Sequence, residues 1–206
     1  MGDENKLGRN LALKNLLVAS LIADGDKALA KNKNVLEIAC NYKTDKIYYL
    51  LQYIKQYNLK SYIRIHQKSQ SFYITVVENL RPMIEKWYSS GNQKYFFKAS
   101  CSEDITLQSI IICINLFGYR KVDGIGFKTT VDEKSLYALV HTISNKLNHF
   151  VFFSNGNVSI PSVDKLCEKH LSYLTALEST ELVNYLTRKE MNSLKMINPL
   201  KGRKAY

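Results

Sequence analysis

Leu17-Val18-Ala19-Ser20-Leu21-Ile22-Ala23-Asp24-Gly25 joins an apolar run to an acid and a glycine stop. Leu13, Leu16, Leu17, Ser20 and Leu21 recur at spacings of three and four, which predicts a helix from Asn10 to Ala23. The small residues Ala19 and Ala23 lie four apart, so one side of that helix lets a second backbone approach closely. Asp24 then sits at the helix C-terminal end, where the macrodipole already places partial negative charge, and it needs a compensating cation or solvent. Taken alone, the nine residues also read as a core helix with a simple stop. The residues around them decide between the two readings.

Downstream, Lys27 to Lys31 reads as a short arm and Asn32 to Asn34 as a polar turn, while Val35 to Tyr42 alternates as a half-buried strand does. Thr44 to Tyr57 is predicted as a helix with Ile47, Leu50, Leu51 and Ile54 on one stripe. Tyr62–His66 and Phe72–Val77 form a hairpin, and a third helix runs from Met83 to Tyr88. After a polar stretch from Ser89 to Lys98 the order returns. Thr106 to Phe117 is helical and ended by Gly118. Val122-Asp123-Gly124 signals a tight turn before the strand Ile125–Thr130, since Asp-Gly tolerates positive φ. A helix over Asp132–Leu147, a hairpin around Asn155-Gly156-Asn157 and a helix over Val163–Leu177 complete an internal duplication of one α/β half.

The nine-residue stretch resembles the signature helix of the LAGLIDADG homing endonucleases and intron maturases, and the duplicated order is similar to that of the two-repeat, single-chain members. The resemblance covers roughly residues 10 to 178. It implies an α/β (α+β) fold with two antiparallel, saddle-shaped sheets, helices on their outer faces and a central helix pair about a pseudo-twofold axis. It divides the chain into a first repeat, 1–98, a degenerate second repeat, 99–180, and a basic C-terminal extension, 181–206. In the family each central helix ends in an acid that holds a divalent cation such as Mg2+ over a scissile phosphate, and the sheets lie in the major groove. Asp24 matches the first acid, as catalytic and metal-binding residue. The second repeat reads Ile110-Ile111-Ile112-Cys113-Ile114-Asn115-Leu116-Phe117-Gly118, so Phe117 stands in the place of the second acid. Phenylalanine offers no oxygen to a hard cation. Ile112 and Leu116 replace the small residues Ala19 and Ala23, which is expected to hold the helices further apart. Each strand of a duplex needs its own charge-neutralised site, so double-strand cleavage is expected to be lost.

Charge supplies a binding surface independently of the motif. The 206 residues carry 29 Lys and Arg against 18 Asp and Glu, a net charge of +11, which suits a polyanion such as DNA, RNA or an acidic membrane surface. A hydrophobic content of 46% with three prolines is enough to build a core and excludes general disorder. No acid occurs between Lys46 and Val77, and Tyr62, Arg64 and His66 fall on one face of their strand, with Lys68 in the turn. Arg120, Lys121 and Lys128 occupy comparable hairpin positions in the second repeat, so the two halves are expected to form one basic saddle for nucleic acid. Arg188, Lys189, Lys201, Arg203 and Lys204 make the tail a further candidate contact.

Other chemistry is not signalled. His66, His141, His149 and His170 lack metal-ligand spacing, and there is no P-loop, dinucleotide fingerprint or G-x-S-x-G motif. Cys40, Cys101, Cys113 and Cys167 are far apart and read as free thiols in a reducing compartment. No apolar run approaches the roughly 20 residues of a spanning helix, and the N-terminal residues lack the pattern of a secretion signal, so a soluble, intracellular protein is expected, with a mitochondrial or other organellar setting favoured. The expected function is nucleic-acid binding without efficient cleavage by a monomer with internal pseudo-twofold symmetry. RNA is favoured over DNA, in a maturase or a ribonucleoprotein such as an organellar ribosome, with no cofactor needed for binding. The alternatives are an active Mg2+-dependent endonuclease acting on a long DNA site and a DNA-binding protein without chemistry.

Overall fold

The computed structural model describes residues 2–29, 35–88 and 93–197. Its elements, in chain order, are α1 (Gly2–Ile22), β1 (Asp26–Leu29), β2 (Leu36–Asn41), α2 (Ile47–Gln56), β3 (Ile63–His66), β4 (Ser71–Thr75), α3 (Arg81–Glu85) and α4 (Lys98–Cys101). They continue with α5 (Leu107–Phe117), β5 (Tyr119–Lys121), β6 (Gly124–Lys128), α6 (Glu133–Leu147), β7 (Phe152–Ser154), β8 (Asn157–Pro161), α7 (Val163–His170), α8 (Ala176–Val183) and α9 (Arg188–Ile197). Two four-stranded antiparallel sheets result, ordered β1-β2-β4-β3 and β5-β6-β8-β7. The identical strand order and the matching helices α1 and α5 confirm the duplicated halves.

Several boundaries differ from the sequence reading, each for a local reason. Helix α1 starts eight residues earlier than expected, because no proline or β-branched residue precedes Val18 to interrupt it. The arm after Gly25 is a strand: β1 pairs with β2 through Asp26↔Ala39 to Leu29↔Leu36. The predicted helix from Val163 to Leu177 breaks at a 3-10 turn, Leu171–Tyr173, and restarts where the Thr175 hydroxyl accepts from the Glu178 N–H and the Glu178 carboxylate accepts from the Thr175 N–H. The boundaries drawn at 98/99 and 180/181 therefore both fall inside helices, α4 and α8. The described part of the C-terminal extension is packed: α8 lies against α2 and α5, and α9 against α7.

Helices α1 and α5 pack together at the centre despite the bulk of Ile112 and Leu116, and Ala19, Ala23, Ile112 and Leu116 are all fully buried. Thr106 caps α5 through a reciprocal bond with Ser109 and donates its hydroxyl to Asn15 Oδ1 of α1, at 3.0 Å. The Lys14–Asp104 ion pair at 2.8 Å fastens the same end. At the other end, the Thr130 N–H donates to the Ala23 carbonyl at 3.2 Å, so the exit of α1 is tied to the strand end of the opposite half.

The cation that Asp24 needs is Lys94. Its ammonium is 2% exposed and donates to the Ala23 carbonyl at 2.9 Å and the Gly25 carbonyl at 2.8 Å. Burial lowers its pKa to about 8, against the opposing pull of Asp26, Cys40 and Asp24. A lysine in the polar stretch before α4 thus caps the carbonyl end of α1 by coming back from the far end of the first half. Gly25 makes room for the turn: a Cβ there would lie 2.6 Å from the Ser20 carbonyl oxygen and 3.0 Å from Cys40 Sγ.

The urea midpoints of three variants check this packing. Gly25→Ala is expected to lose about 1–3 kcal/mol by overpacking, whereas Gly8→Ala, in open space on α1, is expected to gain up to about 1 kcal/mol from helix propensity. Lys94→Met is expected to lose about 2 kcal/mol, because the Gly25 carbonyl is left without its ammonium donor and the Ala23 carbonyl keeps only the Thr130 N–H.

Candidate nucleic-acid interface and central acid

Register determines which side chains share the open face of each sheet. In the first sheet the cross-strand row Asp26, Ala39, Tyr73 and Arg64 lies on the same face as Asn41, Ser71 and His66, while Ile38, Phe72, Ile74, Ile63 and Ile65 turn to the helices. The strand β3 alternates as expected: Ile63 and Ile65 are half-buried, and Arg64 and His66 are exposed. Tyr62, just before it, is half-buried, with the Arg9 guanidinium 5.8 Å from its ring centroid. Lys68 is exposed in the connecting turn. Two acids share this face: Asp26, which accepts from the Tyr88 hydroxyl at 2.9 Å, and Glu37, 6% exposed, which accepts from Arg64 Nη2 at 2.9 Å; the guanidinium also lies 5.0 Å from the Tyr73 ring, against which His66 packs edge-on. Glu37 lies upstream of the acid-free stretch, and only the pairing of β2 with β4, and of β4 with β3, brings it to Arg64.

In the second sheet, Tyr119, Lys121, Gly126, Lys128, Asn157, Ser159 and Phe152 share the open face. Lys121 donates to Ser159 Oγ at 2.8 Å and the Tyr119 hydroxyl to Asn157 Oδ1 at 2.9 Å, so both side chains lie across the sheet. They pass over Gly126, where a Cβ would come within 2.8 Å of Lys121 Cδ and 3.1 Å of Tyr119 Cζ.

Arg120 does not belong to that surface. The period-two geometry of β5 turns it away from Lys121 to the helical side, where it pairs with Glu190 of α9 at 3.0 Å. The pairing, together with the Thr187 hydroxyl and N–H, helps to lower the Glu190 pKa, although burial opposes it. Helix α9 therefore lies behind the second sheet, and Arg188 and Lys189, both exposed, do not extend the saddle. Lys201, Arg203 and Lys204 lie outside the described residues.

The two sheets meet at a cavity of about 390 Å³ lined by Asp24, Asn41, Tyr42, Lys43, Leu116, Phe117, Tyr119 and Lys128. Asp24 is half-buried, with Oδ1 buried and without a hydrogen-bond partner among the described residues. Burial raises its carboxyl pKa, against the pull of Lys94, Asn41 and Lys128. Lys43 spans the halves with its ammonium 4.5 Å from the Tyr119 ring centroid. The site accordingly holds one carboxylate among three lysines, 43, 94 and 128.

Opposite Asp24, Phe117 stacks on Phe72 of the first half, ring centroids 6.3 Å apart at 18°. Among the described residues, the end of α5 also has no counterpart to the Lys94 cap. The group touching it is the neutral Tyr185 hydroxyl, which donates to the Ile114 carbonyl at 2.7 Å, while Lys46 stands behind that ring at 4.4 Å and pairs with Glu181 at 3.7 Å.

The site offers Mg2+ one carboxylate, Asp24 with its unpaired Oδ1, so water or phosphate oxygens would have to complete a near-octahedral shell. The nearby Ala23 and Gly25 carbonyls are engaged by an ammonium, the facing residue is aromatic, and no cluster of three His, Cys, Asp or Glu that could hold a metal occurs among the described residues.

No family model matches the chain, and no curated protein matches it. Among solved structures it is similar to one described as the homing endonuclease I-WcaI bound to its DNA recognition sequence, with a TM-score of 0.54 and 13% identity, covering 89% of this chain and 86% of that one. The likeness spans both halves, and with the two matching four-stranded sheets about a central helix pair it shows that the chain has a homing-endonuclease-like fold.

Proposed function

We propose that the protein binds structured RNA, as an intron maturase or as a constituent of a ribonucleoprotein such as an organellar ribosome, and has lost double-strand cleavage. The observation that carries this reading is the replacement of the second acid by Phe117, packed on Phe72 where an oxygen ligand is needed. Loss of the acid is matched by loss of the cation at the same helix end, where Tyr185 supplies a hydroxyl. The open sheet faces and the β3–β4 turn keep their positive charge in Arg64, Lys68, Lys121 and Lys128.

The preference for RNA rests on how those groups are held. Arg64 is engaged by Glu37, and Lys121 and Tyr119 are engaged by Ser159 and Asn157. Groups so committed suit contacts to phosphates and shape better than the bidentate base-edge code of the DNA major groove. The four buried free cysteines fit a reducing compartment, mitochondrial or other organellar. A second reading, duplex DNA binding without chemistry, is favoured by the I-WcaI structure, which is held on DNA.

Incubation of the full chain with duplex DNA and millimolar Mg2+ is expected to give no double-strand breaks. Affinity for folded RNA at physiological salt is expected to survive Asp24→Asn. Metal-dependent breaks abolished by Asp24→Asn, or no affinity for RNA, would overturn the proposal. Phe117→Asp is expected to lose about 3 kcal/mol of stability without restoring cleavage, since it removes the ring stacked on Phe72 and places a carboxylate beside it with no lysine cap at that helix end.

A further inference from the structure

The second sheet carries a pair of exposed phenylalanines at the edge where the first carries Arg64. Phe152, which opens the edge strand β7, and Phe150, two residues before it, are 40% and 67% exposed, and their rings stack at 5.7 Å and 25°. Val151 and Phe153, the alternating residues, turn inward to the core. β7 pairs only with β8, so nothing in the sheet covers its outer side. Register holds Phe152 on the open face and Phe150 stacks on it, so both rings keep apolar surface in water that burial would have removed.

The register sharpens the contrast. In the row that crosses the second sheet, Phe152 lies opposite Ser159, which lies opposite Gly126, which lies opposite Tyr119. In the first sheet the corresponding row runs Arg64, Tyr73, Ala39, Asp26. The duplication thus places Phe152 where the first half has Arg64. Beside it, the Lys121 ammonium is anchored on Ser159 Oγ, and a groove of about 230 Å³ runs between Lys121 and Phe152, with Val122 and Asp123 of the turn at its end.

We propose that Phe150 and Phe152 form a stacking platform for unpaired bases of an RNA loop, with Lys121 set beside it to meet the adjoining phosphate. This rests on the nucleic-acid-binding reading and names the part of the nucleic acid that the second sheet takes. An aromatic face with a fixed cation alongside matches an unstacked nucleotide, which offers a π-face and an anion within one residue. Bases inside a duplex are already stacked on one another and cannot reach such a face, whereas folded RNA displays unpaired bases in loops and bulges. The first sheet, with Arg64 and His66 at the equivalent edge, is left for phosphate contacts along a helical stem.

The test compares an RNA hairpin bearing an unpaired loop, the same stem as a blunt RNA duplex, and a DNA hairpin with the same loop, using the full chain. The double variant Phe150→Ala/Phe152→Ala is expected to bind the RNA hairpin roughly tenfold more weakly, with duplex affinity unchanged. Phe152→Trp is expected to keep hairpin affinity and to show quenched fluorescence on binding, read against Trp87, which is wholly buried. Unchanged hairpin affinity in the double variant, equal loss on hairpin and duplex, or an unquenched Trp at position 152 would each overturn the platform. Equal affinity for the DNA hairpin would overturn the assignment to RNA. A wild-type chain that binds none of the three probes would overturn the proposed function itself, an outcome distinct from failure of the platform alone.

Discussion

The buried ammonium of Lys94, bonded to the carbonyls of Ala23 and Gly25, sets the centre of the molecule. A helix that ends in its own acid faces two electrostatic costs at once, the partial negative charge of its last carbonyls and the carboxylate beyond them. One desolvated cation offsets both. Its own burial is the dominant influence on its pKa, so it is held there by the two carbonyls and the nearby acids at an energetic cost. With α1 terminated in this way, Gly25 can turn the chain into β1, and Thr130 of the second half can reach the Ala23 carbonyl. The position of the sheets relative to the helix pair follows from that exit.

The two halves share one topology and differ in the chemistry at the matching helix end. Where the first half has an acid and an ammonium, the second has a phenyl ring and a phenol hydroxyl. Both groups are neutral, so this helix end carries neither the carboxylate nor the ammonium of its counterpart. The sheets diverge in the same direction. The open face of the first carries Arg64 and His66 beside Glu37, and that of the second carries Phe152 and Tyr119 beside Lys121. A pseudo-symmetric duplex would meet equivalent groups on both sides; these faces are not equivalent.

Much of this was legible in the residues. The periodicity of Leu13 to Leu21, the Asp-Gly stop and the second appearance of helix, strands, helix, hairpin and helix specify the fold, because each is a local pattern with one geometric solution. The replacement of an acid by Phe117 is likewise readable from position alone. Lys94 was not legible, since it lies in an aperiodic polar stretch and its partners are seventy or so residues away in the chain. The aromatic platform escaped for a similar reason: Phe150-Val151-Phe152-Phe153 reads as a continuous apolar run, and only the register of β7 on β8 separates the two rings that face outward from the two residues that face inward. The comparable hairpin positions of Arg120, Lys121 and Lys128 suggest one shared surface, but a strand sends the adjacent Arg120 and Lys121 to opposite faces. Glu190, which holds Arg120, lies far along the chain in α9.

Asp24 stands at a helix end whose carbonyls are held by the Lys94 ammonium. Titration of the full chain with Mn2+, followed by water-proton relaxation, is expected to show no saturable site in the micromolar to low millimolar range, with wild type and Asp24→Asn giving the same response. A saturable Mn2+ site that disappears in Asp24→Asn would assign the carboxylate to a metal instead.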